Sequence, residues 1–261
     1  MSLQPTDCVW VIGGGFLGSK VATACRAAGA RVLVIDPAAP ADVCGALSDS
    51  AVLEAAEGYF LPTHIFCCMA TRGGSVDQYR ECYFATVQNL SARVPTARII
   101  FCSSISVYGD CGNALITEQT QPAATTERAA ILLEAEQVVL AHGGCVARLA
   151  ALYDEDRCEL RRRHLAREPR LPGPPQRMLH YVHVQDAAAA LLLLATLPQG
   201  GVYHVCGTPF SKQEAYAALA QETGLPPVEE EAPPSCRGMV QGQVSSALLQ
   251  SKGWCPRPFF R

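Results

Sequence analysis

Short apolar runs alternate with longer helical patterns through the first two thirds of the chain. The runs are Cys8 to Ile12, Arg31 to Ile35, His64 to Met69, Arg98 to Cys102, Cys145 to Leu149 and Val202 to Val205. Most are continuous series of Val, Ile and Cys, which is typical of strands buried on both faces of a sheet. The alternation predicts βαβ units and therefore an α/β fold with a doubly wound parallel sheet.

The helical patterns carry recognisable start and stop signals. The helix after the first run has one apolar stripe, formed by Leu17, Val21, Ala24 and Ala28. Gly29 is expected to end that helix. A capping box at Ser211 to Glu214 predicts the start of a later helix that Gly224 ends. Asp186 is expected to cap the AAAALLLL helix that follows it.

Composition narrows the possible partners and the compartment. The formal net charge is only -3 and charged residues make up 17% of the chain, so no global field attracts nucleic acid or an anionic membrane. The 13 cysteines are odd in number and form no C-x-x-C, which favours a reduced, cytoplasmic protein. The apolar stretch Ala187 to Leu197 is too short to span a bilayer, and no signal peptide is recognisable. We expect a small-molecule ligand.

Three glycines between the first run and its helix fit a phosphate-binding loop. Gly13, Gly15 and Gly18 form G-x-G-x-x-G, and Asp36 ends the second run, 18 residues after Gly18. This order predicts a Rossmann-type dinucleotide site, in which an acid at the position of Asp36 accepts hydrogen bonds from ribose hydroxyls and favours NAD over NADP. The alternative is a strand-to-helix turn without a ligand, with Asp36 facing water.

Several motifs match one known family in order along the chain. The matching segments are GGGFLG (13–18), IFCCMA (65–70), RIIFCSSISVYGD (98–110), RLAALY (148–153) and YVHVQDAAAALL (181–192). They resemble the extended short-chain dehydrogenase/reductases, the NAD-dependent epimerase/dehydratase family. The resemblance implies cofactor contacts at Gly13, Gly14, Gly15, Phe16, Leu17, Gly18, Asp36, Met69, Ala70 and Leu149.

The resemblance breaks at the residues that carry the family's chemistry. Ser104 matches the position whose hydroxyl holds the substrate oxygen. Arg128 stands where the family has its catalytic Tyr, and Leu132 where it has its Lys. Ile12 also replaces the first glycine of the family's longer glycine motif. The chain thus resembles the atypical branch of the family, which lacks the Y-x-x-x-K pair.

The predicted catalytic residues are Ser104, Arg128 and Tyr108. Ser104 would orient the substrate oxygen, and Arg128 would bind negative charge, because a guanidinium does not exchange protons near neutral pH. Arg128 could equally form a surface salt bridge, Ser104 could be an ordinary strand-end hydroxyl, and Tyr108 is usually structural in the family. Cys67 and Cys68 are expected to be packing residues near the nicotinamide position.

Seven arginines lie between Arg157 and Arg177, where family members contact a sugar nucleotide. They could bind phosphate or carboxylate, or form a solvated face balanced by the acidic run Asp154 to Asp156. Four histidines show no spacing for a metal with one another or with the cysteines, and are expected to serve the fold. They are His64, His180, His183 and His204.

The regular rhythm ends near Asp154, which suggests the domain organisation. We predict a dinucleotide-binding domain over residues 1–153, with the sheet returning near 178–206, and a small substrate-binding cap from 154–177 and 207–261. Two functions fit this organisation. One is an NAD(P)-dependent oxidoreductase-type enzyme acting on an anionic or nucleotide-sugar-like molecule, and the other is a non-catalytic dinucleotide-binding subunit. Sugar-nucleotide epimerase or dehydratase action is a third possibility, weakened because both chemistries usually need the absent Tyr. The family resemblance also permits a homodimer.

Overall fold

A computed structural model describes residues 3–38, 40–71, 73–228 and 240–259. The thirteen strands are β1 (Cys8–Ile12), β2 (Arg31–Asp36), β3 (Val43–Cys44), β4 (His64–Cys67), β5 (Arg98–Ser104), β6 (Asp110–Ile116), β7 (Cys145–Leu149), β8 (Ala151–Tyr153), β9 (Met178–Leu179), β10 (Tyr181–His183), β11 (Gly201–Val205), β12 (Phe210–Ser211) and β13 (Gln241–Val244) within those ranges. Part of the predicted cap, residues 229–239 and 260–261, lies outside the described residues.

The helices lie between the strands of the sheet and after them. Within the same ranges they are α1 (Phe16–Ala27), α2 (Ser50–Tyr59), α3 (Val76–Arg80), α4 (Thr86–Arg93), α5 (Glu127–Ala141), α6 (Glu159–Leu165), α7 (Val184–Thr196), α8 (Lys212–Thr223) and α9 (Ala247–Gln250). A π-helical turn, Glu81–Ala85, joins α3 to α4, and a 3₁₀ turn, Ile105–Tyr108, follows β5.

The central sheet has seven parallel strands in the order β11-β7-β5-β4-β1-β2-β3. The chain builds outward from β1 through β2 to β3, then crosses back to β4 and builds the other half. The direction of winding therefore reverses between β1 and β4, where a doubly wound sheet opens a crevice at the carboxyl ends of its strands. Each of the six predicted apolar runs is a strand of this sheet, so the predicted fold is confirmed.

Continuous apolar runs form these strands because helices cover both faces of the sheet. Helices α1 and α7 pack together against one face of the sheet. Helices α4 and α5 pack together on the other, where α5 contacts β5 and β7. Large side chains in the middle of the sheet, among them Trp10, Phe66 and Phe101, have no solvent exposure. The core therefore lies in two layers around the sheet, and the polar residues collect at the strand ends.

The predicted helix limits are largely correct, and the predicted cap of α7 is wrong. Gly29, with φ of +89°, follows α1 as expected, and Ser211 makes both hydrogen bonds of the capping box that begins α8. Helix α7 begins after His183, whose Nδ1 accepts a hydrogen bond from the Gln185 N–H at 3.2 Å. Asp186 instead lies inside the first turn, where its carboxylate accepts hydrogen bonds from Arg257.

A second, smaller hydrophobic cluster lies apart from the main core. It consists of Leu160, Leu179, Tyr181, Phe210, Ala215, Tyr216 and Leu219. Short sheets connect this region to the rest of the fold, since β12 pairs antiparallel with β9 and β10 pairs parallel with β8. Buried Lys212 donates a hydrogen bond to the Leu171 carbonyl oxygen at 3.2 Å. The cap and its boundaries remain a prediction.

Neither a membrane span nor a metal cluster is found in the described part of the chain. No helix there combines the length and the hydropathy needed to cross a bilayer. No group of three or more His, Cys, Asp or Glu residues there is arranged to hold a metal ion.

Candidate functional site

A cavity of about 730 Å³ opens at the carboxyl ends of the strands, where the winding reverses. Loops and strand ends from β1, β2, β4, β5 and β7 line it. Of the predicted cofactor residues, those that line the cavity are Gly13, Gly15, Phe16, Leu17, Asp36, Met69, Ala70 and Leu149. The structure thus brings together residues that are far apart in sequence, at the place where such folds bind ligands.

The three glycines of the loop have different physical tasks. Gly13 has a φ of +90° and lies against the Met69 backbone, so a β-carbon there would be strained and crowded. A β-carbon on Gly18 would overlap the Gly13 carbonyl oxygen, so this glycine lets α1 pack against the loop. A β-carbon on Gly15 would meet nothing within 4 Å. Gly15 is therefore the glycine whose open space a ligand can use.

The carboxylate of Asp36 is held at the end of β2. Its Oδ2 accepts a hydrogen bond from the Gly14 N–H at 2.6 Å, and its Oδ1 accepts one from the Ala38 N–H at 2.8 Å. Gly14 does not line the cavity and instead orients this carboxylate. A carboxylate has about four lone-pair sites, so Asp36 can still accept hydrogen bonds from ligand hydroxyls.

This donor and acceptor set fits a dinucleotide. The amino end of α1 has an N-cap, Gly15, without a side-chain hydrogen bond, and its first turn has no acidic residue. Free N–H groups and the helix dipole favour a negative group there. Asp36 supplies the negative acceptor at the neighbouring strand end. Phosphate and ribose, which are adjacent in a dinucleotide, would therefore meet complementary groups.

Two cysteine side chains line the cavity below the glycine loop. The Sγ atoms of Cys68 and Cys102 lie 3.9 Å apart. The Cys102 thiol and burial raise the pKa of Cys68 well above the usual thiol value. Burial likewise raises the pKa of Cys67, which is fully buried in the core. A raised pKa suppresses the reactive thiolate, which agrees with the expected packing role.

Ser104 is the one predicted catalytic residue that lines the cavity. It is the last residue of β5, and its Oγ accepts a hydrogen bond from the Ser106 N–H at 3.1 Å. This bond caps the following 3₁₀ turn and uses one lone pair of the hydroxyl. The hydroxyl hydrogen can still be donated to an oxygen atom of a ligand.

Arg128 lies in the first turn of α5 and is not among the described residues that line the cavity. Its guanidinium donates to the Gly74 carbonyl oxygen at 2.5 Å and lies over the ring of Tyr79, 5.7 Å from the centroid. Leu132, one turn later, is buried with 2% of its surface exposed. Arg128 is therefore bound to the loop before α3, and Leu132 belongs to the core.

Tyr108 is fully buried and also does not line the cavity. Its hydroxyl accepts a hydrogen bond from Arg148 Nη1 at 2.6 Å and lies 2.6 Å from Nε2 of His204. Burial raises the pKa of Tyr108 above its ordinary value. The structure thus places Tyr108 in an internal polar network, as expected for a structural tyrosine.

Three of the seven arginines in the arginine-rich segment, Arg161, Arg162 and Arg163, form ion pairs with glutamates. Arg162 pairs with Glu159 and Glu168, and Arg161 pairs with Glu222. Hydrogen bonds from Arg162 and then Arg163 lower the pKa of Glu159 to about 2. The acids predicted to balance the cluster are therefore not its partners: Asp154 shapes a turn, and the carboxylate of Glu155 contacts His183.

Sequence reasoning missed several residues that line the cavity. They include Tyr83, Thr86 and Ser103, whereas Arg157, which also lines the cavity, belongs to the arginine segment already considered for phosphate binding. Ser103 could have been suspected because it precedes Ser104 in the same motif. Tyr83 carries no such signal, because it reaches the cavity only through the π-helical turn between α3 and α4.

Solved structures with this architecture include NAD-dependent epimerases and dehydratases. The chain is similar to the UDP-glucose 4-epimerase of Thermus thermophilus in complex with NAD, with 23% identity, a TM-score of 0.78, and coverage of 97% of this chain and 95% of the epimerase. It is also similar to the dTDP-glucose 4,6-dehydratase of Bacillus anthracis in complex with NAD, with 17% identity, a TM-score of 0.80, and coverage of 97% and 92%.

A putative epimerase from Burkholderia cenocepacia is similar as well, with 20% identity, a TM-score of 0.81, and coverage of 97% of this chain and 94% of that protein. No family model matches the sequence, and curated proteins give no significant match. At these identities the likeness defines the fold. The chain therefore has the fold of the NAD-dependent epimerases and dehydratases, as its motifs predicted.

Proposed function

We propose that the protein binds NAD in the cavity between the two halves of the sheet. The observation that carries this proposal is the Asp36 carboxylate, which faces the same cavity as the open side of Gly15. Asp36 would accept hydrogen bonds from the adenosine ribose and repel a 2′-phosphate. The amino end of α1 would hold the phosphates, and Met69, Ala70 and Leu149 line the rest of the cavity. NAD is therefore favoured over NADP.

We further propose an oxidoreductase-type enzyme that acts on a small molecule. When bound, NAD supplies a centre that accepts and returns hydride. Ser104 would donate a hydrogen bond to the substrate oxygen and so fix its orientation. Arg128 and Tyr108 take no part at the cavity in this proposal, because both are committed to contacts elsewhere. The solved epimerases and dehydratases of this fold make a sugar nucleotide the first substrate class to try.

A non-catalytic dinucleotide-binding protein is the second candidate. The surroundings of Arg128 and Leu132 favour this second candidate. Arg128, at the position of the missing Tyr, contacts a loop, and Leu132, at the position of the missing Lys, is buried in the core. Such a protein would bind NAD as tightly as an enzyme and would not turn over a substrate. The two candidates share the cavity and differ only in what Ser104 does.

Binding and turnover can be measured separately on the full chain. Calorimetric titration with NAD and NADP should give binding of NAD, and binding of neither would contradict the proposal. UDP-glucose and dTDP-glucose are then incubated with the protein and NAD, and products are read by NMR. We expect Ser104→Ala to abolish product formation and keep NAD binding, while Ser106→Ala, outside the cavity, changes neither. NAD binding without turnover of any sugar nucleotide would favour the second candidate.

A further inference from the structure

One arginine of the segment 157–177 differs from its neighbours. Arg157 lines the cavity, whereas most of the others pair with glutamates or bind carbonyl oxygens away from it. Within the described part of the chain, the Arg157 guanidinium has no hydrogen bond to an acid or a carbonyl oxygen. Its charge is therefore available to a ligand in the cavity.

The backbone of Arg157 is fixed by the turn that precedes α6. Oδ1 of Asp154 accepts hydrogen bonds from the N–H groups of Asp156, at 3.1 Å, and Arg157, at 2.8 Å. The Asp154 N–H in turn donates to the Arg157 carbonyl oxygen at 3.2 Å. The acidic run predicted to neutralise the arginines therefore shapes a tight turn that presents one of them.

The guanidinium of Arg157 lies over the ring of Phe16, 4.6 Å from its centroid. Phe16 is the first residue of α1, directly after the open Gly15. A planar guanidinium on an aromatic face keeps its N–H groups at the edge, where they can donate to an anion. The contact with Phe16 thus holds a cation beside the amino end of α1.

Two independent features then act on one place in the cavity. The uncapped amino end of α1 presents backbone N–H groups, and Arg157 adds a full positive charge next to them. Both favour a diphosphate, which takes bidentate hydrogen bonds from arginine. We propose that Arg157 binds the pyrophosphate of the dinucleotide and closes the phosphate end of the cavity. This inference rests on the proposed binding of NAD.

The test compares NAD affinity in four forms of the full chain by calorimetry, at low and high ionic strength. They are the wild type, Arg157→Gln, Arg157→Lys and the control Arg161→Gln. Arg161 lies on the same segment, pairs with exposed Glu222, and does not line the cavity. Since Arg157 is exposed, its replacement should leave the melting temperature unchanged.

We expect Arg157→Gln to weaken NAD binding about tenfold at low salt, the usual scale of one charge-assisted hydrogen bond. The loss should shrink at high salt, because salt screens an exposed charge. Arg157→Lys should recover part of the affinity, since it keeps the charge and loses the planar contact with Phe16. Arg161→Gln should bind like the wild type.

Three results would overturn the inference, and each leaves NAD binding by the wild type intact. Arg157→Gln could bind NAD within about twofold of the wild type. Arg161→Gln could lose as much affinity as Arg157→Gln, which would indicate a general effect of charge. Arg157→Gln could also weaken the binding of UDP-glucose and leave the affinity for NAD unchanged, which would assign Arg157 to a substrate diphosphate. Failure of the wild type to bind NAD would instead contradict the proposed function itself.

Discussion

Glu136 and Arg148 form a buried ion pair behind the candidate site, with Oε2 of Glu136 2.5 Å from Nη2 of Arg148. Both residues are at most 5% exposed. Ser103, which lines the cavity, donates to Oε1 of Glu136 at 2.5 Å, and Arg148 continues the network to the hydroxyl of Tyr108. The pair therefore joins α5 and β7 to the strand that ends at Ser104.

We predict that Glu136→Gln destabilises the protein by about 3 to 5 kcal/mol, because it leaves the charge of Arg148 buried without a counter-ion. Denaturant unfolding measures this change. Glu134→Gln is the matched control on the same helix. Glu134 pairs with Arg80 at the surface, with 42% of its side chain exposed, so its loss should cost no more than about 1 kcal/mol. Equal costs for the two variants would contradict the role of the buried pair.

The central sheet could be predicted because its strands are marked by local composition. A continuous apolar run of five residues, such as Cys8–Ile12, identifies a buried strand without knowledge of its neighbours. The shorter strands were not predicted. Val43–Cys44 and Phe210–Ser211 have two residues each, too few to show a period, and they exist because a partner strand lies beside them.

Predictions that needed a distant partner were less successful. The sequence around Asp186 suggests a helix cap. In the structure its carboxylate accepts a hydrogen bond from Arg257 in the carboxyl-terminal tail, and His183 caps the helix instead. Likewise, sequence alone offers Arg128 as a ligand-binding cation and gives no sign that its guanidinium donates to the Gly74 carbonyl oxygen. The glycine loop and Asp36 were recognisable because their order along the chain mirrors their order in the site.

Gly15 and Gly18, the second and third glycines of the loop motif, should respond differently to an added methyl group. Gly15→Ala should fold normally, since its φ of -71° suits alanine and the new β-carbon meets nothing within 4 Å. It should nevertheless weaken NAD binding at least about tenfold, because the methyl group occupies the space proposed for phosphate. Gly18→Ala should instead cost about 1 to 3 kcal/mol of stability, because its β-carbon overlaps the Gly13 carbonyl oxygen.

Thermal unfolding and NAD titration of both variants separate these effects. Gly58→Ala is the control, because Gly58 lies in α2, away from the cavity, and its β-carbon also meets nothing within 4 Å. It should leave NAD affinity unchanged. If Gly15→Ala bound NAD like the wild type, the open face of Gly15 would not be the phosphate site.

The charge of Asp36 should decide between the two dinucleotides. Asp36→Asn removes the negative charge and keeps one acceptor oxygen, which can serve only one of the backbone N–H groups of Gly14 and Ala38. We expect NAD affinity to fall about tenfold, because hydrogen bonds from ribose to a carboxylate are stronger than to an amide. NADP should bind better relative to NAD than in the wild type, since the repulsion of its 2′-phosphate is gone.

Competition between NAD and NADP in a titration measures this preference. Asp110→Asn serves as the control. Asp110 is the exposed first residue of β6, outside the cavity, and its Oδ1 accepts the Gly112 N–H at 2.9 Å. An unchanged NAD to NADP ratio in Asp36→Asn would show that this carboxylate does not face the ribose.

His180 should make the protein less stable in acid. Burial and then the charge of Arg177 lower the pKa of His180 to about 4, from an ordinary value of 6.5. Its Nε2 accepts the Val244 N–H at 3.2 Å, which requires the neutral ring. Between pH 6.5 and about 4 the unfolded chain therefore binds a proton that the folded protein does not. Stability falls as the pH drops through this window, by about 3 kcal/mol from His180 alone.

Denaturant unfolding between neutral pH and about pH 4 tests this prediction. The quantity to compare is the change of the unfolding free energy with pH, not its value at one pH. In His180→Gln the unfolding free energy should lose the part of its pH dependence that comes from His180, because glutamine does not titrate. This holds however much the substitution destabilises the protein at neutral pH. An identical slope in His180→Gln and the wild type would mean that His180 binds its proton equally in the folded and unfolded chain.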